Sequence, residues 1–515
     1  MDHDRPAEPR RTFTGYAEAI LDVLARTPDR PALTAADGRL IRAGEFRDGV
    51  YRLARELAGR GTGRDMTVSL LTGNTPEALG ARYAANLAGA RVVFLYDGMA
   101  PETLAQVVDS VDTRMLLVDP TRYRDAGGLL PRVQVPAVLT LGPGSFGEDV
   151  LASSGHREPE PFAVPVAPGD DWCIRHTGGT TGIPKGIRMA HGPYRRNIAM
   201  PLTGAGDPPR FLACTAIGHL AGVLADMTLF QGGSVVLRWA FDPGDVLAAI
   251  ERERITHLWV LPPLLYRLLD HPARPDTDLS SLCRISYGGC PASPARLGQA
   301  AEAFGPVLHG LYGQTEALGI TEVGPDEHSV TGRGGQITVG RPLPGVEIEI
   351  RDDDGEPLPP GQEGEIHVSS PGVMSGYWKQ PELTAEVVHD GWVRTGDIGY
   401  LDDEGHLFIV DRRKDMIIVV GGHVYPAEVE ELLLAHPAVA QCAVFGVRAD
   451  DSTEHVHAAV VAAPGHHPDP DRLREFVTAR KGRIYAPEAV HLVPAIPLTS
   501  VGKPDKKLLQ RTLGG

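Results

Sequence analysis

Between residues 67 and 118 the chain alternates short, almost wholly apolar runs with stretches of helical period, and few folds accommodate that grammar. Strands are expected at 67–71, 91–96 and 115–118, with helices at 76–88 and after Pro101. Short strands that are apolar on both faces belong to parallel sheets covered by helices. The pattern resumes with strands at 234–237, 257–261 and 284–287 and a helix at 245–254, which predicts two related sub-lobes. Upstream, Ile20, Leu21, Val23 and Leu24, then Val50, Leu53 and Leu57, form apolar stripes of two further helices. At 515 residues the chain exceeds what one hydrophobic core organises.

The segment His176-Thr-Gly-Gly-Thr-Thr-Gly-Ile-Pro-Lys-Gly-Ile187 interrupts this alternation with four glycines, three threonines and one lysine. The residues before it, Asp171 to Arg175, read as a short strand, so the glycines fall in the loop that leaves it. Glycine N–H groups approach an anion with no Cβ in the way. Thr177, Thr180 and Thr181 add hydroxyl donors, and Lys185 adds a mobile positive charge. The run has the chemistry of a phosphate grip, or of a flexible turn, and lacks the GK[ST] of a Walker A loop.

Composition narrows the partners. A net charge of −16 argues against a nucleic-acid surface and against an anionic membrane. No run of eighteen uncharged apolar residues exists, so no membrane span is expected, and the polar start MDHDRPAEPRR lacks the apolar core of a signal peptide. The first dozen residues read as a disordered tail. The five cysteines, at 173, 214, 283, 290 and 442, follow no metal or disulfide spacing and suit a reducing cytoplasm.

From about Gly340 the grammar changes. VEIEIR (346–351) and GEIHV (364–368) alternate in polarity around a turn-rich connection, which predicts a small antiparallel barrel near 340–410. From Asp411 a compact α+β unit follows, with strands at 416–420, 439–447, 455–463 and 489–493 and helices at 426–435 and 471–479. The charged cluster DRRKD (411–415) stands at its entrance. The expected domains are thus 1–410 and 411–515.

Three further motifs suit chemistry, although taken alone the first reads equally as an ordinary loop and the last as a solubilising surface lysine. Tyr312-Gly313-Gln314-Thr315-Glu316 offers a ring to stack, a close approach, a hydroxyl and a carboxylate suited to magnesium. Asp397 stands in RTGDIG, read as a glycine-punctuated turn, where an acid can accept ribose hydroxyls or simply close the turn. Lys503, in PLTSVGKP, lies on a loop near the C-terminus.

The ordered set HTGGTTGIPKG, YGQTE, TGDIGY, DRRKDMI and PLTSVGKPDKK resembles the adenylate-forming superfamily of acyl-CoA synthetases, peptide-synthetase adenylation domains and luciferases, over nearly the whole chain. The resemblance implies a large N-terminal domain, of two parallel-sheet sub-lobes plus a small barrel, and a small mobile α+β C-terminal domain. It implies a two-step reaction: a carboxylate and ATP give an acyl-adenylate and pyrophosphate, then an acceptor displaces AMP. It assigns Thr177, Gly178, Gly179, Thr180, Thr181, Gly182 and Lys185 to the β- and γ-phosphates. Gly288, Gly289, Cys290 and Tyr312 would flank adenine with Gly313 and Gln314 beside them, Thr315 would touch the α-phosphate, and Glu316 would ligate Mg²⁺. Asp397 would hold the ribose with Arg412 nearby, Lys414 would be the hinge, and Lys503 would be the adenylation lysine. His219, in AIGHLAG, matches an acyl-pocket gate or a packed core histidine. The family's proline and aromatic are here Ala216 and Gly218, which implies a pocket of altered shape. Gly421, in Val420-Gly-Gly-His423, falls on the thiol's route, although the family's paired glycines there are Val420-Gly421.

These readings converge on an acid–CoA ligase using ATP, Mg²⁺ and CoA, cytoplasmic, with a homodimer left open. A carrier protein or an amine is the alternative acceptor, and an adenylate-binding sensor without catalysis is a rival of another class. Residues 340–378 leave no room for the insertion of fatty acyl-AMP ligases. His219, Trp259, Tyr287 and Gly313 are candidate acid-pocket residues, suited to a small aromatic or medium-chain acid.

Overall fold

The computed structural model describes residues 13–514 except 97–98, 178–184, 203–207, 334–335, 413–416, 420–421, 449–453 and 500–501. The chain forms two compact units, one of residues 1–240 with 374–382, the other of residues 241–373 with 383–515.

The first unit holds an eight-stranded sheet in the order Gly376–Tyr377, Lys185–Ala190, Asp171–Thr177, Arg91–Phe94, Thr67–Leu71, Thr113–Val118, Ala137–Thr140, Glu148–Asp149. Its middle is parallel, as the apolar strands predict; Thr67–Leu71 is buried at every residue. The helix Pro76–Leu87 follows because Pro76 presets its first turn and Thr75 accepts from the Ala78 N–H at 3.0 Å, a cap worth about 1 kcal/mol. A second, shorter set runs Arg210–Ala213, Ser234–Leu237, Pro31–Thr34, Leu40–Arg42. The chain returns to this unit late: Gly376–Tyr377 pairs with Lys185–Ala190, the Trp378 indole donates to the Ser110 carbonyl at 3.0 Å, and Lys379 pairs with Asp112 at 2.7 Å.

The second unit contains the parallel strands His257–Val260, Arg284–Gly288 and Leu308–Gln314, closed by antiparallel Leu318–Val323. The expected barrel is a curled antiparallel sheet of five strands, in which Glu347–Arg351 pairs with Gly364–Ser369 in the predicted hairpin. One sequence expectation fails here. Asp397 does not sit in a turn: it lies within the ten-residue strand Trp392–Leu401. Gly396 takes φ +72° and the pairing register shifts between Ile398 and Gly399, so the glycines bulge the strand instead of ending it.

The C-terminal part packs the helices Pro426–Leu434 and Pro470–Lys481 on the three-stranded sheet of Val439–Arg448, Glu454–Ala462 and Ala489–Leu492. Each matches the predicted element within a few residues. Among the described residues no helix is long and apolar enough to cross a membrane, and the five cysteines are free thiols.

Candidate active site

The phosphate-grip segment is a hairpin. Asp171–Thr177 and Lys185–Ala190 pair antiparallel, with Thr177 opposite Lys185 and His176 opposite Gly186. The tip, with Gly178, Gly179, Thr180, Thr181 and Gly182, lies outside the described residues, as does the Thr177 side chain. Lys185 is held at the hairpin's mouth with its ammonium 5.4 Å from the centre of the Tyr377 ring, a cation–π contact. A Cβ on Gly186 would come 2.9 Å from Ile174 and 3.2 Å from the His176 ring, so glycine is required for the strands to close. Burial pushes the His176 imidazole down to about 4, so it is neutral at pH 7 and leaves the cationic role at this hairpin to Lys185.

His219 sits immediately before the helix Leu220–Phe230, its ring stacked on Tyr96 at 3.9 Å and 18°. Gly218 makes this possible, because a Cβ there would lie 3.0 Å from Tyr96 and 3.3 Å from Phe94. No motif pointed to Tyr96. The other pocket candidates are dispersed over the second unit: Trp259 is buried in a central strand, and the Tyr287 hydroxyl bonds His328 Nε2 at 2.9 Å.

The second unit brings together residues far apart in sequence. Gly288 ends a strand where a Cβ would meet the Leu311 carbonyl at 2.1 Å, and Gly289 takes φ +83°. The space a Cβ of Gly289 would fill lies 3.9 Å from Lys503 Cε. Lys503 is therefore beside the glycines expected to flank adenine. A tight turn presents it: Gly502 N–H donates to Thr499 O at 2.8 Å, Lys503 N–H to Thr499 Oγ1 at 3.2 Å, and Thr499 N–H to Lys503 O at 2.7 Å. Gly502 takes φ +81°, which glycine alone adopts readily. Burial pushes the Cys290 thiol up to about 12 against the pull of Lys503, so it is a neutral wall and not a nucleophile.

Tyr312 and Asp397 also meet. The Tyr312 hydroxyl donates to Asp397 Oδ2 at 2.7 Å, and both side chains are buried. The bond fixes the position of the carboxylate. Asp397 stands opposite Arg412 in the pairing, while the Arg412 side chain, Lys414 and Gly421 lie outside what is described. Thr315 and Glu316 occupy the turn joining Leu308–Gln314 to Leu318–Val323 and are half-buried. Gly313 lets that hairpin close, since a Cβ there would meet Leu318 O at 2.3 Å. Gln314 Nε2 is buried without an acceptor, a donor left over beside these groups. One carboxylate such as Glu316 suffices for Mg²⁺ when substrate phosphates supply other ligands.

The first unit thus carries the glycine-rich hairpin with Lys185, and the second the Tyr312–Asp397 pair and Lys503 on its turn. The chain belongs to the AMP-binding enzyme family, whose model matches residues 21–378, with the AMP-binding enzyme C-terminal domain at 428–503. It is 34% identical to a medium/long-chain-fatty-acid–CoA ligase of Mycobacterium tuberculosis, over 99% of this chain and 92% of that one. It is 35% identical to a feruloyl-CoA synthase of an Amycolatopsis species, over 90% and 92%. Among solved structures it resembles the amide bond synthetase McbA of Marinactinospora thermotolerans, with 40% identity, TM-score 0.87 and coverage of 97% and 100%.

Proposed function

We propose that this protein condenses a carboxylic acid with ATP to an acyl-adenylate and transfers the acyl group to the thiol of CoA. The observation that carries the first step is Lys503 beside Gly289 and Cys290. An ammonium held there meets the charge that develops as the substrate carboxylate attacks the α-phosphorus, and pyrophosphate leaves with the electron pair. Lys185 and the threonines of the hairpin would hold the β- and γ-phosphates, and Asp397, braced by Tyr312, the ribose. Glu316 would hold Mg²⁺, which supplies charge neutralisation to the phosphates when bound. Transfer would follow a swing of the 411–515 domain about Lys414 that withdraws Lys503 and brings Gly421 to the thiol's route.

An amine acceptor is the second reading, favoured by 40% identity over the full length of an amide bond synthetase. Acid-dependent ATP–pyrophosphate exchange over aryl, short and medium-chain acids tests adenylation, and no exchange with any acid would favour the sensor. Single-turnover discharge of the adenylate to CoA or to small amines then decides the acceptor: faster loss to amines, with CoA inert, replaces the first reading by the second.

A further inference from the structure

Lys503 is carried by a turn, and that turn is mounted on one face of the C-terminal sheet. The strand Glu454–Ala462 alternates its side chains across the sheet. Val456, Ala458 and Val460 pack with the helices Pro426–Leu434 and Pro470–Lys481. Ala459 lies on the opposite face, with Ala443, Phe445, Ile496 and Leu509. His457 shares this second face, as does His491 on the neighbouring strand Ala489–Leu492, and both rings are half-buried against Phe445. The ring centres lie 5.9 Å from Phe445 for His457 and 6.5 Å for His491. His457 Nδ1 and His491 Nε2 are 3.2 Å apart and share a hydrogen bond. Among the described residues Ala489–Leu492 has Glu454–Ala462 as its one sheet neighbour, so this bond clasps the pairing that holds the strand.

From this face the chain runs to Lys503 with little slack. Val493 N–H donates to Val460 O at 2.9 Å, and Pro494 and Pro497 fix φ in the connection. Ile496 is buried in the Phe445 cluster. Asp505 N–H donates to Pro497 O at 2.8 Å and closes the turn; the Asp505 carboxylate then caps the helix Lys506–Leu513, accepting from Leu508 N–H at 2.9 Å. That helix returns Leu509 to the same cluster. Both ends of the Lys503 turn therefore rest on the face that His457 and His491 complete.

The clasp has a chemical limit. Two neutral imidazoles make an N–H···N bond and one added proton preserves it, but two imidazoliums set hydrogen against hydrogen and repel. Burial, then the His491 ring, hold the His457 imidazole below its ordinary range; Glu488 acts in the opposite direction and His455 in the same one. His455 and Glu488 pair with each other beside the clasp. On the helix Lys506–Leu513, Lys506 is engaged by Glu430, and Lys507 and Arg511 are its other charges.

We infer that His457 and His491 form a proton-sensitive mount for Lys503: their shared hydrogen bond fixes Ala489–Leu492 and the turn beyond it, and a second proton parts the rings and slackens the lysine's aim. The two histidines are positioning residues and touch no reactant. This mount, which rests on the adenylating role proposed for Lys503, sets an acid limit that an ammonium, with no further proton to gain, does not have by itself.

The test follows amide hydrogen exchange by mass spectrometry and pyrophosphate exchange by the full-length protein between pH 7 and 5. It compares the parent with H491Q, whose amide oxygen can accept from a protonated His457. In the parent, protection at Val493 and Thr499 should fall about ten-fold more than protection at Thr67–Leu71, after correction for intrinsic exchange rates. The kcat should fall by a similar factor while KM for ATP holds, because a misaimed Lys503 weakens the transition state and not the ground state. In H491Q both losses should be absent when each rate is expressed against its own value at pH 7. Identical acid profiles for parent and H491Q overturn the inference, as does a parent whose protection falls equally at all these strands. Local opening with an unchanged kcat also overturns it, since the mount then positions nothing. If H491Q does not fold, H457Q replaces it, and if neither folds the parent's own exchange pattern decides. Acid opening that H491Q removes, in a protein with no pyrophosphate exchange for any acid, would uphold the mount and sink the adenylating function instead.

Discussion

Two lysine- and arginine-bearing regions of this protein solve opposite problems. In the first unit Arg82 is sealed beneath the helix Leu220–Phe230, its charge met by Asp226 and ringed by phenols. In the second unit Lys503 rides a turn closed by its own backbone and by Thr499, half-buried beside glycines. The first charge is held by side chains that cannot move without leaving a buried ion unpaired. The backbone of the second is set by the hydrogen bonds of its own turn. The first charge is locked at its head, and the second is positioned from its root.

That contrast predicts different failures. Asp226→Ala should cost about 3–5 kcal/mol of unfolding free energy, because it strands a buried guanidinium. A denaturant midpoint close to the parent's would mean that the cluster braces nothing. Lys503→Ala should leave that midpoint in place and lower pyrophosphate exchange by about 10²-fold or more, roughly 3 kcal/mol of barrier. Full exchange activity in this variant would remove Lys503 from the chemistry and collapse the comparison.

Acid sharpens it further. Burial holds the His176 and His191 imidazoles at about 4, below the ordinary 6.5. Between those values the unfolded chain binds more protons than the folded one, so stability is full above about pH 6.5 and falls as pH drops towards 4. Lowering pH from 7 to 5 should cost about 2 kcal/mol for each histidine, and His176→Gln should flatten its share of the slope. A midpoint that does not move over this range would show that neither ring is buried neutral. The smallest effect concerns Asp397: Tyr312→Phe removes one hydrogen bond to it, and, with Asp397 on the ribose as proposed, KM for ATP should rise about five-fold, near 1 kcal/mol, with kcat little changed. A loss confined to kcat would place the pair in the transition state instead.

The fold was legible wherever local pattern decides it. Thr67–Leu71 and Ser234–Leu237 fall where apolar runs place them, and the C-terminal strands and helices are displaced by no more than a few residues. Asp397 was misplaced because glycines and an aspartate signal a turn locally, whereas pairing with two neighbouring strands carries the backbone straight through as a bulge. The candidate site was read as an ordered set of motifs, of which the fold brings Lys503 beside Gly289 and Tyr312 onto Asp397. Tyr96 was invisible for another reason: it carries no motif, and its importance lies in the His219 ring that stacks on it.

The late return of the chain at residues 374–382 has a consequence for how the protein is made. The strand Lys185–Ala190 borders its sheet with an open row of peptide groups until Gly376–Tyr377 pairs with it. During synthesis the first unit is therefore unfinished for nearly two hundred residues after its own strand has emerged, and the growing chain exposes an edge that another nascent chain could pair with. A fragment ending at Ala240 would keep that edge permanently. A workable fragment has to carry the returning segment, with Trp378 on the Ser110 carbonyl and Lys379 on Asp112 as its two clasps.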